Sequence, residues 1–230
     1  MGLISGLFSA IAGFAAKIVS VAGPIVGNIC QGIAKLLPNI VEKATEILKG
    51  IGKVLEGLGQ ILGVPPGDDL EEIGAKLTQE DTRPIREGES HKAYMEYLRS
   101  VELDKERFEK MSKEEKLNCL SAGVSLKSAE VGETLGDAKL LTPEFLMGIY
   151  KIGMTETQLK NYVDKLIENG VKPETFTRFL DEKEKCTELE NEKIYKAIEE
   201  AEKIENPNIS EFEVQEKIDE MSDKFQKKLD

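Results

Sequence analysis

The chain contains no tryptophan, a single histidine and three cysteines among 230 residues, and its aromatic share is 6%. Each shortage removes a class of function. Cys30, Cys119 and Cys186 are odd in number, far apart and without a CxxC pair, so neither a disulfide framework nor a zinc site is expected and the thiols read as buried and inert. His91 has no second histidine and no cysteine near it in Glu89-Ser90-His91-Lys92, and reads as a solvent-facing residue at a helix start. The scarcity of aromatics argues against a ring-lined pocket for a small molecule or a carbohydrate. The sequence has no Walker loop, no EF-hand spacing and no GxSxG, and its acidic runs, such as Asp104 to Lys116, alternate in sign as a solvated helix face does. No catalytic residue, cofactor or metal ligand is expected, and the protein reads as a non-enzyme.

Charge is missing unevenly. Residues 1–64 hold no Asp, Arg or His, and their five lysines against three glutamates give +2, so with −12 on the whole chain the remainder carries −14. Two unlike segments in one chain imply two jobs. Nucleic acid is not an expected partner of the acidic part, because phosphate binding needs a clustered basic face.

The first 64 residues are rich in Ile, Leu, Val, Ala and Gly. Leu3, Ile4, Leu7, Phe8, Ile11, Phe14, Ile18 and Val21 recur at three and four, one face of a helix, while Gly2-x-x-x-Gly6-x-x-x-Ala10 and Ala12-x-x-x-Ala16-x-x-x-Ser20 form small-residue ladders that let backbones approach closely in apolar surroundings. A helix from Gly2 to Gly23 would measure about 33 Å, enough for a hydrocarbon layer of roughly 30 Å. Pro24 ends it. A second apolar helix, 25–37, is too short to span a bilayer and stops at Pro38. The third runs from Asn39, read as its cap, to Gly63, and its apolar positions, Ile47, Ile51, Val54, Leu58 and Ile61 among them, keep a sevenfold spacing that implies a seam against partner helices or lipid. Gly50, Gly52, Gly57 and Gly59 interrupt this helix, each at a cost of about 1 kcal/mol relative to Ala. A helix surface thinned this way needs a neighbour.

No charge precedes Lys17, so no cleavable signal peptide is predicted. The run GLISGLFSAIAGFAAKIVSVAG resembles the short membrane-active peptides of bacteria, of the phenol-soluble modulin and leaderless bacteriocin kind. The whole stretch to Val64 is similar to the Gly/Ala/Ile-rich hydrophobic segments of phage tail tape-measure and other virion proteins that contact membranes during entry. The resemblance covers this third alone and is one of composition. It implies a membrane-associated protein or a component of a virion or injection particle, serving host entry or forming pores. Gly2, Leu3, Gly6, Leu7, Ile11, Phe14, Ile18, Ile47, Ile51, Val54, Leu58 and Ile61 are the expected contacts, with a lipid bilayer or within a homo-oligomer. The alternative is a structural assembly protein whose apolar helices are buried among identical or companion subunits.

Pro65-Pro66-Gly67-Asp68-Asp69 marks a linker where composition changes. Residues 70–180 read as an acidic helical bundle and 181–230 as a charged helical hairpin, which makes the fold class all-α. Helices are predicted near 69–78, 89–101, 104–111, 113–122, 127–135, 143–152, 156–169, 174–204 and 211–228. Capping boxes start at Ser112, Thr155 and Ser210, and Gly123, Gly153 and Gly170 are placed as C-terminal caps. Phe145, Leu146, Ile149, Leu159, Tyr162, Val163, Leu166, Phe176, Phe179 and Leu180 form the expected bundle core.

Overall fold

The computed structural model describes residues 6–182 and 185–227, with the side chains of 6–10, 12 and 182 outside that description. The described residues form eleven helices and no strand. They fall into two compact units, Met1–Pro143 and Glu144–Asp230. The change of composition at residue 64 is therefore not where the chain divides, because the apolar helices share a core with part of the acidic segment.

Six helices build the first unit: α1 (Gly6–Leu36), α2 (Val41–Ile61), α3 (Leu70–Leu77), α4 (His91–Ser100), α5 (Lys105–Lys110) and α6 (Lys113–Thr134). At its centre lies α6, with α1, α2, α3 and α4 packed around it. Every residue from Cys119 to Gly132 is buried. The local sequence is consistent with this: small and branched residues cover most of the helix, and its polar residues, three serines with Lys127 and Glu130, find partners inside the fold rather than water. Its buried hydroxyls are satisfied locally. The Ser125 Oγ donates to the Ser121 carbonyl at 2.7 Å and the Ser128 Oγ to the Leu141 carbonyl at 3.1 Å.

Helices α3 and α6 meet through two glycines. A Cβ at Gly74 would lie 1.7 Å from the Cys119 carbonyl oxygen, and one at Gly123 would lie 1.8 Å from that of Leu70. Gly123 is thus interior to one helix rather than a C-terminal cap. The two segments predicted at 113–122 and 127–135 are continuous because Gly123 is needed for close approach, which outweighs its weak helix propensity.

The second unit comprises α7 (Pro143–Ile152, whose first residue closes the first unit), α8 (Glu156–Glu168), α9 (Pro173–Glu182), α10 (Glu188–Glu205) and α11 (Glu211–Gln226). All ten expected core residues are buried. Phe176 meets Phe145 edge-on at 6.3 Å and Tyr162 at 6.2 Å, and the Tyr162 hydroxyl donates to Glu202 at 2.5 Å. Gly153 and Gly170 take left-handed φ of 76° and 67° just past α7 and α8, as helix-ending glycines do. The expected helix over 174–204 is instead two, since Thr187 and Glu190 form a further capping box that starts α10. The hairpin of α10 and α11 closes on Ile194, Ile198, Ala201, Ile218 and Met221, while Leu189, Ile204 and Phe212 stay exposed.

Candidate membrane-contact site

Helix α1 is bent. Its 31 residues are broken at Gly23, whose φ of 87° and ψ of 168° suit glycine alone, followed by Pro24, which lacks the N–H that would continue the ladder. Both halves lay an apolar edge on the core: Ile11, Ala15, Ile18 and Ala22 before the bend, Val26, Ile29, Cys30 and Ile33 after it. The outer strip, Gly13, Ala16, Val19, Ser20, Pro24, Asn28, Gln31 and Lys35, is exposed and carries a single charge, Lys35 in the last turn. Lys17 lies beside it and donates to the Thr78 carbonyl at 3.4 Å. From Gly13 to Leu36 the helix is long and apolar enough to cross a membrane by length and composition.

The expected contact residues divide into three groups. Gly2 and Leu3 lie outside the described residues, and of Gly6 and Leu7 only the helical backbone is described. Ile11, Ile18 and Leu58 are 0% exposed, with Ile47 and Ile51 nearly so, all within the core of the first unit. Phe14 and Val54 are half-buried, and Ile61 is exposed. The seam of α2 therefore faces α6 of the same chain, because sevenfold spacing reports a packed helix face whatever packs on it. Ile40 rather than Asn39 precedes its first turn, and makes no side-chain cap.

The glycines of α2 divide the same way. A Cβ at Gly52 would come 2.9 Å from Leu70 Cδ1 on α3 and 3.7 Å from Val124 Cγ2 on α6, and one at Gly59 would come 3.6 Å from both Lys127 Cε and Val131 Cγ2 on α6. Gly50 and Gly57 are half-buried on the flank.

Behind Gly59 lies a cluster of charges that sequence reasoning passed over. The Lys127 side chain on α6 is 0% exposed, and its ammonium lies 3.0 Å from Glu56 on α2, 2.9 Å from Asp68 before α3 and 3.1 Å from Glu130 one turn along α6. Arg99 on α4 adds 2.7 Å to Asp68 and 3.0 Å to Glu130. Burial opposes the charge on Lys127, but hydrogen bonds and charges from Asp68, Glu130 and Glu56 outweigh it and raise its pKa. Burial likewise opposes ionisation of Asp68, and Arg99 and Lys127 overcome it, so its carboxyl is held below the usual range. At Glu130 burial wins over Lys127 and Arg99, and its carboxyl is pushed up. The available signal was the run Leu117–Gly132, whose only charges are Lys127 and Glu130, three apart on one face.

His91 departs from its solvent-facing expectation. It is 8% exposed at the start of α4, with Nδ1 3.5 Å from Glu133 on α6, because α4 packs its first turn against the central helix. Cys30, Cys119 and Cys186 are free and buried. The chain matches no family model, no curated protein and no solved structure.

Proposed function

We propose that this is a non-enzymatic, self-associating membrane protein that carries its bilayer segment folded against its own core. The observation that carries the reading is α1: a helix apolar over Gly13–Leu36, with only Lys17 and Lys35 charged on its outer side and an inner edge resting on α6. A soluble core helix normally turns charged residues outward. This one turns Gly13, Ala16, Val19 and Ser20 outward with Lys17 at their edge and Lys35 in the last turn, a surface of small and apolar residues between two long-stemmed lysines that a hydrocarbon layer or a second α1 accepts. Delivery of α1 to a target membrane by a virion or injection apparatus, or insertion as a pore, both use that property.

The test exploits Ala16 and Ser20 of the exposed strip, since changes there spare the core, whereas Val19 packs on buried Gly27 across the bend. Ala16→Glu with Ser20→Glu places two carboxylates where lipid would lie, each costing about 2.5–3.5 kcal/mol near a bilayer centre, by analogy with Asp on insertion scales. Flotation with phosphatidylcholine–phosphatidylglycerol vesicles and release of an entrapped dye are expected from the parent protein and largely lost in the variant, with urea midpoints similar. A parent protein that neither floats nor releases dye, yet forms a stable soluble oligomer, would instead support the assembly reading.

A further inference from the structure

The connection between α3 and α4 reaches the bend of α1. The Ile85 N–H donates to the Val21 carbonyl at 2.7 Å, an oxygen whose partner in an unbroken helix would be the Ile25 N–H, four residues on. The Ile85 side chain stands over Gly23, where a Cβ would lie 3.5 Å from Ile85 Cγ2. A segment from elsewhere in the fold thus takes over the backbone bond that the bend breaks.

That segment is fixed firmly at its other side. The Arg83 guanidinium grips both oxygens of Glu89 at 2.8 and 2.7 Å and lies 4.1 Å over the Tyr97 ring. The Arg83 N–H donates to the Tyr97 hydroxyl, and the Tyr94 hydroxyl donates to the Arg83 carbonyl at 2.9 Å. The Arg86 N–H closes the loop onto Glu89 at 2.9 Å. The strap is therefore built onto α4, while at the bend it meets α1 through a backbone hydrogen bond and one half-buried isoleucine. Of the two joints, the one at Val21 is the weaker.

The bend also decides what α1 can reach. Residues 6–22 make a helix of about 25 Å and residues 24–36 one of about 20 Å, both short of a hydrocarbon layer of roughly 30 Å, whereas 13–36 in line would measure about 36 Å. Proline inside a spanning helix is tolerated in lipid.

Resting on the membrane reading above, we propose that Gly23–Pro24 is a hinge which the Arg83–Glu89 strap holds bent, and that release of Ile85 from Val21 lets α1 straighten into one bilayer-spanning helix. Bent, both halves keep their apolar edges buried in the first unit; straight, one half must leave it for lipid. The strap is an autoinhibitory contact that keeps the protein water-soluble until it meets a membrane.

The experiment measures the bend and its consequence together. Spin labels at Ala16→Cys and Gln31→Cys, both exposed on α1 on either side of the hinge, report its two states, since a straight helix separates these backbones by about 22 Å. The distance is expected to lengthen to that value when the otherwise unaltered chain binds phosphatidylcholine–phosphatidylglycerol vesicles. Ile85→Pro, which removes the donor, and Gly23→Ala, which penalises the left-handed bend, are each expected to speed dye release about fivefold, the equivalent of one backbone hydrogen bond. Vesicle binding with an unchanged label distance overturns the hinge and leaves the membrane reading standing, as does release at the parent rate from folded variants. Absence of binding by every form overturns the membrane reading, and the hinge with it. Should either variant fail to fold, the label distance decides alone.

Discussion

The Lys127 ammonium lies 2.9 Å from the Asp68 carboxylate, with none of the lysine side chain open to water. This pair joins the turn before α3 to the central helix, and through Glu56 and Arg99 the same cluster also draws in α2 and α4. Three carboxylates face two cations, so losing either cation leaves the carboxylates in excess by two.

Removing one cation should therefore cost far more than its own contacts. Lys127→Met leaves Glu56, Asp68 and Glu130 with Arg99 alone, and breaking a buried pair typically destabilises by about 3–5 kcal/mol. Adding Glu130→Gln to that variant removes a carboxylate whose ionisation burial already resists, so the double variant is expected to be more stable than Lys127→Met alone. Urea unfolding of the four proteins gives the coupling. Equal, additive losses would show that the charges act independently.

The strap has a defined acid limit. Arg83 is the main cause that holds the Glu89 carboxyl at about 2, down from an ordinary 4.5, with the Arg86 N–H assisting against partial desolvation. A lowered folded pKa means that the folded state binds fewer protons, so the contribution is fully present above 4.5 and drains away as pH falls from 4.5 towards 2. Glu89→Gln should flatten stability against pH across that window and change little of the slope above 5. Direct titration of the Glu89 carboxyl by NMR checks the same point, and a midpoint near 4.5 would refute the ion pair. Acid alone would loosen the strap only below about pH 4.5.

Much of this fold was legible because local signals and tertiary packing agreed. Ser112, Thr155 and Ser210 each close a capping box with Glu115, Gln158 and Glu213, so these helix starts follow from spacing alone. The bend at Gly23-Pro24 was legible for the same reason. What was hidden depends on partners distant in sequence. Gly123 looks like a helix end until Leu70 is placed against it, and Ile47, Ile51 and Leu58 look equally suited to lipid until α6 is placed beside them. Lys127 sits among small residues whose burial no periodicity announces, because a helix enclosed on all sides has no apolar face to detect. Ile85 carries no signal of its own, since its role rests on a backbone N–H.

The glycines give the sharpest separation between propensity and packing. At Gly74 and Gly123 an added methyl would fall within 1.8 Å of a neighbouring backbone oxygen, so α3 and α6 would have to move apart, and Gly74→Ala or Gly123→Ala is expected to destabilise by about 3 kcal/mol or more. Gly13 has nothing within 4 Å and lies exposed in a helix, so Gly13→Ala should stabilise by about 0.5–1 kcal/mol. Between these limits, Gly52→Ala meets the flexible end of Leu70 at 2.9 Å, while Gly59→Ala makes ordinary contacts from 3.4 Å outward and should gain most of its helix propensity. The expected order of urea midpoints is therefore Gly13→Ala and Gly59→Ala above Gly52→Ala, with Gly74→Ala and Gly123→Ala far below. If Gly59→Ala fell with the last pair, the Lys127 stem would be more tightly held against α2 than its 3.6 Å approach implies. If Gly74→Ala matched Gly13→Ala, the α3–α6 crossing would not be the close contact that places Asp68 within reach of Lys127.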